Sequence, residues 1–181
     1  MNRAVSTWKK LFFKSNISKI RKAVMDYLEG EGIKVKLENG SLVVKIDEYD
    51  YKIYFDLDDE YPQCEITLEL KHEEYDALEL SQKTFIADKM NTNADRLSVV
   101  KAFSKSLVIE AHFYFSNKKM LLSLFHDYFI DAAEAVEETT EWLANAIKKN
   151  KNQRRPIGFM APASSNKNSN EEQPAAQSKI M

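Results

Sequence analysis

The sequence predicts an α+β domain in which one antiparallel sheet of five to six strands packs against an N-terminal helix and a long C-terminal helix. Two observations predict the sheet: apolar residues recur at every second position between residues 33 and 70, and again between residues 97 and 115. A third observation predicts the helices, because the segments before, between and after these runs show helical apolar spacing. The expected element order is α-β-β-β(-β)-α-β-β-α.

The first helix is predicted to begin near Asn16 or Ser18, because either side chain can accept a hydrogen bond from a free N–H of the first turn. Its end is predicted at Gly30 and Gly32, since glycine adopts the left-handed conformation that stops a helix. The apolar stripe of this helix consists of Ile17, Ile20, Val24, Tyr27 and Leu28. This stripe is expected to face the core.

Four strands are predicted before the second helix, over Ile33–Leu37, Leu42–Ile46, Tyr51–Leu57 and Cys64–Leu70. Asn39-Gly40 joins the first two strands, and this pair is a strong hairpin signal because both residues tolerate positive φ. Short links indicate an antiparallel meander, and clean alternation indicates one buried face and one exposed face.

A second helix is predicted from about Tyr75 to Asn93, where Asn91 or Asn93 can end it in the left-handed conformation without glycine. A hairpin is predicted to follow directly, with strands over Leu97–Phe103 and Leu107–Phe115. The polar link between helix and hairpin is therefore read as a helix stop.

The third helix is predicted to be the longest, over about Asn117–Lys149, with a broad apolar stripe. Four acidic residues lie on its adjacent turns: Glu134, Glu137, Glu138 and Glu141. They are predicted to form a solvated face, which can also attract a basic segment of a partner.

The chain is predicted to contain one folded domain, at residues 16–150. Residues 1–15 form a basic and aromatic N-terminal segment, and residues 151–181 have the composition of a disordered polar tail. The N-terminal segment combines Trp8, Leu11, Phe12 and Phe13 with Lys9, Lys10 and Lys14. We expect its aromatic residues to dock on the core of the domain, and contact with a membrane surface is the alternative.

Composition excludes several classes of protein. The 44% of hydrophobic and 30% of charged residues are typical of a globular protein, and a net charge of −2 supplies no field that would recruit nucleic acid. No run of residues approaches the roughly 18 apolar residues of a membrane helix. The single cysteine, Cys64, excludes an internal disulfide and favours a reducing compartment, so a cytoplasmic location is expected.

No catalytic residue set, metal site or cofactor is predicted. His72, His112 and His126 fall on different predicted elements and lack the spacing that places two metal ligands on one helix face. Cys64 shares the apolar face of its strand with Ile66, which predicts a buried structural thiol rather than a nucleophile. The chain has only four glycines, and none is arranged as a phosphate-binding loop.

Three consecutive segments in the middle of the chain resemble one family. Ile86–Asn91 ends a helix in Asn, Val99–Phe103 reads VVKAF, and Leu107–Ala111 is a second strand before the long amphipathic helix. This arrangement looks like the YbjN family, whose members have the type III secretion chaperone-like fold. The resemblance covers about Asn16–Lys149.

The resemblance implies a protein-binding or regulatory role. Secretion chaperones of this fold are small acidic homodimers that hold stretches of an effector protein in extended form, and YbjN-like proteins are associated with regulation. Two features of this chain depart from the chaperones. Four strands precede the second helix, where the chaperones usually have three, and the net charge is only −2.

The two faces of the predicted sheet differ in what they present. The first face carries Leu42, Val44, Ile53, Phe55 and Phe113, which the first and third helices are expected to cover. The second face carries, by parity, Val43, Tyr54, Val108 and Tyr114. We predict that these four residues form a partner-binding surface, because exposed apolar patches mark docking sites. The alternative is that the second helix or the N-terminal aromatic residues cover them within the chain.

The expected function is therefore a non-catalytic protein-interaction module, chaperone-like or regulatory, which acts as a homodimer and binds a segment of a protein partner. A small-ligand-binding or enzymatic domain is the alternative. That alternative requires a polar pocket across the sheet, for instance at Glu110, His112 and Tyr114. Neither interpretation requires a cofactor or a nucleic-acid partner.

Overall fold

A computed structural model describes the backbone of residues 3–57 and 62–154 and the side chains of residues 17–57 and 62–152. It confirms the α+β class and the predicted element order. Within the described residues the elements are α1 (Arg3–Gly30), β1 (Val35–Glu38), β2 (Ser41–Ile46), β3 (Tyr49–Asp56), β4 (Gln63–Leu70), α2 (Leu80–Asn91), β5 (Ser98–Ala102), β6 (Leu107–Tyr114) and α3 (Lys118–Arg154). The strands form one antiparallel sheet in the order β1-β2-β3-β4-β6-β5, so four strands do precede α2.

Helix α1 begins at Arg3, and the prediction of a start near Asn16 or Ser18 is wrong. No glycine or proline interrupts the chain between Arg3 and Gly30, so nothing stops the helix from extending towards the N-terminus. A capping side chain marks a helix start only where the preceding turn is not helical. The side chains of residues 3–16 lie outside the description, and so does the predicted docking of the N-terminal aromatic residues.

The end of α1 confirms the glycine prediction. Gly32 has a φ of +79°, which places it in the left-handed region. Its N–H donates to the carbonyl of Glu29 at 3.0 Å, and the N–H of Ile33 donates to the carbonyl of Leu28 at 2.9 Å. This pair of bonds is the Schellman motif, and the apolar residues that flank it, Leu28 and Ile33, both pack in the core.

The turns of the first two hairpins both use positive φ. Asn39 and Gly40 have φ values of 49° and 85°, as the Asn-Gly pair predicts for the turn between β1 and β2. Asp47 has a φ of 54° in the turn between β2 and β3, although no glycine stands beside it. This second turn carries Asp47 out to one end of the sheet, where it becomes relevant below.

The segment predicted as one helix from Tyr75 to Asn93 divides into two parts. A 3-10 turn covers Tyr75–Ala77, and α2 begins after Glu79, whose side chain and that of Gln82 form a reciprocal capping box. Helix α2 ends at Asn91 without a left-handed residue, because Thr92 keeps right-handed angles. That part of the prediction is wrong: the side chain of Asn91 is used by the sheet instead.

Strand β5 lies at the edge of the sheet, and side chains form hydrogen bonds with some of its outward-facing backbone groups. Asn91 accepts a hydrogen bond from the N–H of Val100 at 2.8 Å and donates to its carbonyl at 2.9 Å. The carboxylate of Asp131 accepts from the backbone N–H of Ser98 at 2.8 Å and from its hydroxyl at 2.6 Å. These side chains replace a neighbouring strand at Ser98 and Val100, so both positions are closed to strand addition.

The core lies on one face of the sheet, which we call the inner face. The predicted inner-face residues Leu42, Val44, Ile53, Phe55 and Phe113 are all buried. Helix α3 packs over β4, β5 and β6, α2 packs on β5 and α3, and α1 packs on α3 and β1. Two strands depart from the predicted alternation. Leu37 of β1 is 56% exposed, and in the predicted strand Leu97–Phe103 the apolar Leu97 and Val99 are exposed whereas Ser98 is buried.

Helix α3 runs to Arg154, slightly past its predicted end. The remainder of the predicted polar tail, residues 155–181, lies outside the described residues. Within the described part of the chain, no helix is both long enough and apolar enough to cross a bilayer.

Candidate functional site

The four residues predicted to bind a partner all lie on the face of the sheet opposite the core, which we call the outer face. Val43 is on β2, Tyr54 is on β3, and Val108 and Tyr114 are at opposite ends of β6. Tyr54 is 39% exposed and Tyr114 is 52% exposed. Helix α2 does not cover this face, because its buried residues Ile86 and Met90 belong to the core on the other side.

The register separates these four residues with polar side chains. Their cross-strand partners are Lys36 and Lys52 for Val43, Glu65 for Tyr54, Glu69 and Lys101 for Val108, and Gln63 for Tyr114. Val108 and Tyr114 are themselves about 20 Å apart along β6, at roughly 3.3 Å per residue. The structure therefore places all four residues on one face, and it brings two of them, Tyr54 and Val108, into the lining of one open cleft. Polar side chains also line that cleft, and Val43 and Tyr114 lie outside it, so the four residues do not form a continuous apolar surface.

The polar trio proposed for a ligand pocket is also dispersed. Glu110 forms an ion pair with Lys101 and lines an open cleft of about 1010 Å³ at one end of the sheet. His112 and Tyr114 do not line this cleft, since each lies further along β6 on the exposed outer face. Among the described residues, no three His, Cys, Asp or Glu side chains converge as metal ligands would.

Cys64 is completely buried in the core, as the alternation of its strand predicts. Burial raises the pKa of its thiol, and the nearby Glu65 carboxylate raises it further. A thiol with a raised pKa carries little of the reactive thiolate at neutral pH. The position therefore fits a structural side chain.

A second concavity, of about 710 Å³, lies between the C-terminal end of α1, the turn that joins β2 to β3, and the middle of α3. We call it the α1–α3 groove. Its floor is apolar and consists of core side chains that line the concavity: Leu28, Tyr51, Phe129 and Val136. Ile33 and Ile130 extend this apolar lining towards solvent, and Ile130 is exposed.

Aromatic packing fixes the shape of the groove floor. The ring of Phe129 stacks on Phe125, with centroids 5.3 Å apart and an interplanar angle of 19°. Tyr51 lies against the same Phe129 ring, again at 5.3 Å. The floor is therefore built from the interior of the domain, where close packing holds side chains in single conformations.

Two polar contacts tie the walls of the groove together. The Tyr27 hydroxyl of α1 and Nδ1 of His126 on α3 are 2.5 Å apart, within hydrogen-bond distance. On the opposite side, the hydroxyls of Tyr49 on β3 and Thr140 on α3 are 3.3 Å apart. These contacts link α1 and β3 to α3, so the width of the groove is set by the fold.

The rim of the groove is acidic. Glu31, Asp47, Glu134 and Glu137 line it, and all four are exposed. No lysine or arginine is among the described residues that line the groove, and none of the four carboxylates forms an ion pair with another described residue. An apolar floor is thus bordered by charges of one sign.

The environment of the groove raises the pKa of two of its tyrosines, Tyr27 and Tyr51. Burial raises the pKa of Tyr51 to about 12, with smaller contributions from Tyr49 and from the negative charge of Asp47. Burial also raises the pKa of Tyr27, and the carboxylates of Glu31 and Asp127 add to the increase. A negative charge near a phenol disfavours the ionised form of the phenol. This is why the carboxylate of Asp47 raises the pKa of Tyr51, and why those of Glu31 and Asp127 raise the pKa of Tyr27.

Other acidic residues of α3 are neutralised instead. The guanidinium of Arg96, which is 7% exposed, pairs with Glu138 and lies 3.8 Å from the carboxylate of Asp131. Arg96 comes from the polar link between α2 and β5, so this cluster fastens the link to α3. The four glutamates predicted to form a solvated face, Glu134, Glu137, Glu138 and Glu141, are all exposed, and Glu138 is the one of them that pairs with Arg96. The side chain of Asp131, by contrast, is largely buried.

Sequence reasoning missed the groove because its parts are far apart in the chain. Tyr27 and His126, which contact each other across it, are 99 residues apart. One signal was present: Glu134 and Glu137 lie three positions apart on α3, next to the apolar stripe that includes Val136. That spacing indicates an acidic border along an apolar surface, although it cannot identify the elements on the other side.

Comparison with known proteins yields one structural likeness. A crystal structure of an uncharacterized protein from Methanothermobacter thermautotrophicus is similar at 13% sequence identity, with a TM-score of 0.46, over 67% of this chain and 97% of that chain. No protein-family model matches the sequence, and no match is found among curated proteins. A likeness at this level assigns no function to the chain.

Proposed function

We propose that this domain is a non-catalytic protein-interaction module whose α1–α3 groove binds a positively charged, amphipathic helix of a protein. The observation that carries the proposal is the combination of an apolar floor with four exposed carboxylates and no cationic side chain in the described lining. An amphipathic helix places apolar anchors in a groove and keeps its charged side chains at the rim. Cationic side chains at that rim would meet Glu31, Asp47, Glu134 and Glu137.

The groove suits a helix better than an extended peptide. An extended peptide gains much of its affinity from hydrogen bonds to a free strand edge. The strands beside the groove have no free edge, because β2 pairs with β1 and β3, and β3 pairs with β2 and β4. A helix satisfies its own backbone hydrogen bonds and needs only side-chain contacts, which are what this groove offers.

The proposal agrees with the protein-binding role that the resemblance to the YbjN family and the secretion chaperones implies. It differs in the conformation of the bound segment, since those chaperones hold extended segments. A chaperone-like or regulatory role in the cytoplasm, where Cys64 stays reduced, completes the proposal.

Titration with a labelled synthetic helix tests this function. The probe is an amphipathic peptide of leucine and lysine, added to the full chain and followed by fluorescence anisotropy. We expect binding to the unaltered chain. In the double variant Glu134→Lys/Glu137→Lys the dissociation constant should rise about tenfold or more, because two attractions become repulsions.

A variant with the same change in net charge outside the groove serves as the control. Glu73→Lys/Glu141→Lys alters two exposed carboxylates that do not line the groove, and it should keep the dissociation constant within about twofold. Equal losses in both double variants would show that only the net charge attracts the probe. That result would refute the proposed function, and so would the absence of binding to both the unaltered chain and the variant Trp8→Ser/Phe12→Ser, whose N-terminal helix has lost two apolar side chains.

A further inference from the structure

We propose that the α1–α3 groove receives the first half of α1 from a second copy of this chain, so that two copies exchange their N-terminal segments reciprocally. We call residues 3–14 the N-terminal arm. The inference rests on the proposed function and specifies its ligand: the positively charged amphipathic helix is the protein's own N-terminal arm.

The charges of the arm and the groove are complementary. The first 25 residues of the chain contain no aspartate or glutamate. The arm carries four cationic residues, Arg3, Lys9, Lys10 and Lys14. The groove rim carries four exposed carboxylates, from Glu31, Asp47, Glu134 and Glu137. Opposite charges on facing surfaces steer association and fix the partner's orientation.

The arm also has the apolar spacing of a helix that binds in a groove. Val5, Trp8 and Phe12 follow the i, i+3, i+7 pattern, and Leu11 lies beside them. The backbone of this segment is helical, since α1 runs continuously from Arg3 to Gly30. An arm that is already helical loses less conformational entropy on binding than an unfolded peptide would.

The geometry of α1 requires the arm to come from another copy. Leu28, near the C-terminal end of α1, lines the groove, whereas Phe12 lies sixteen residues earlier on the same helix. At a rise of roughly 1.5 Å per residue, about 24 Å separates them along the axis. A continuous helix cannot fold back over its own end, so the arm of one copy reaches the groove of its neighbour.

A second basic segment of the chain is less suitable. Residues 154–160 read RRPIGFM and combine two cationic residues with apolar ones. Pro156 and Gly158 disfavour the helix that a groove without a free strand edge requires. This segment therefore enters the test as a competing peptide.

Sedimentation velocity on the full chain tests the exchange. The unaltered chain should form dimers. The arm variant Trp8→Ser/Phe12→Ser and the groove variant Glu134→Lys/Glu137→Lys should each raise the dimer dissociation constant about tenfold or more. An equimolar mixture of the two variants should recover a heterodimer, because the arm of the groove variant and the groove of the arm variant are both intact.

A charge exchange supplies the strictest control. Adding Lys9→Glu/Lys10→Glu to the groove variant should restore dimers, since the signs at the contact are then reversed together. A monomeric unaltered chain would overturn the inference. A dimer that neither variant weakens would also overturn it, because the two copies would then join through another surface.

Peptide titrations into the full-length arm variant separate failure of this inference from failure of the proposed function. Binding of a labelled peptide of residues 1–16 supports the inference. If the leucine–lysine helix binds and this peptide does not, the inference fails while the proposed function stands; if neither binds, both fail. Tighter binding of a peptide of residues 151–162, or flotation of a monomeric chain with phosphatidylserine vesicles through the arm, would also overturn it.

Discussion

The outer face of the sheet and the α1–α3 groove both expose apolar side chains, but they differ in how those side chains are arranged. On the outer face each apolar residue has polar cross-strand neighbours, as Tyr54 has Glu65. In the groove the apolar residues are continuous with the core, and Phe129 joins the floor to the interior. Charges of both signs surround the outer-face residues, whereas the groove rim carries one sign.

This difference teaches that exposed apolar residues are not by themselves a binding surface. Strand alternation places single large residues on a wet face, where isolated apolar side chains are common in monomers. A binding surface needs contiguous apolar area and a polar border that selects its partner. In the described part of this molecule, the junction between helices and sheet provides both.

The largest expected effect concerns the groove floor. Phe129→Ala should lower the free energy of unfolding by about 3–5 kcal/mol, because it removes a buried ring that stacks on Phe125 and packs at a tilt against Tyr51. Urea denaturation measures the loss. The control Phe85→Ala removes a half-exposed ring and should cost about 1 kcal/mol. Equal losses would mean that the groove floor is not part of the core.

The next effect is a pH dependence of stability. The pKa of Tyr51 is raised to about 12 in the folded chain, whereas that of an unfolded tyrosine is about 10. Below about pH 10 the phenol is protonated in both states, and its contribution to the free energy of unfolding is fully present. This contribution, on the order of 2 kcal/mol, is lost as the pH rises from about 10 to 12. Denaturation at several alkaline pH values should therefore show a decline that Tyr51→Phe reduces. An unchanged decline in that variant would contradict the burial of the phenol.

The smallest effect is expected on the outer face. Tyr54→Ser and Tyr114→Ser should each lower the free energy of unfolding by less than about 1 kcal/mol, because both side chains are substantially exposed. Neither change should alter the affinity for the leucine–lysine helix or the dimer dissociation constant. If the double variant stays folded but loses its partner or its dimer, the outer face is the binding surface, as the sequence pattern first predicted.

The sequence predicts the sheet well because strand alternation directly reports which side chains share a face. Leu42, Ile53, Ile66 and Ile109 all fall on the apolar parity of their strands, and all are buried. The Asn39-Gly40 turn is equally local, since the two residues themselves permit the positive φ that the turn requires. Features decided within a few residues of chain are therefore recoverable without a structure.

Features that depend on distant elements are not recoverable in this way. The apolar stripe of α3 shows that one side of the helix is buried, but it does not show that Tyr27 will meet His126 there. Capping residues inside α1 mislead because Asn16 and Ser18 can also lie within a helix. Asn91 misleads for a similar reason: its amide bonds to a strand that begins several residues later.

The side-chain bonds at the border of β5 limit how this protein can assemble. A fibre that grows by strand addition requires each molecule to offer two edge strands with unpaired backbone groups, one for each neighbour. Here Asn91 and Asp131 already bond backbone groups of the edge strand β5, so at most the other edge strand, β1, can pair with an added strand. Two molecules joined there would expose only their β5 edges, where Ser98 and Val100 are already bonded, so strand addition would be blocked at those positions and growth should stop at a pair.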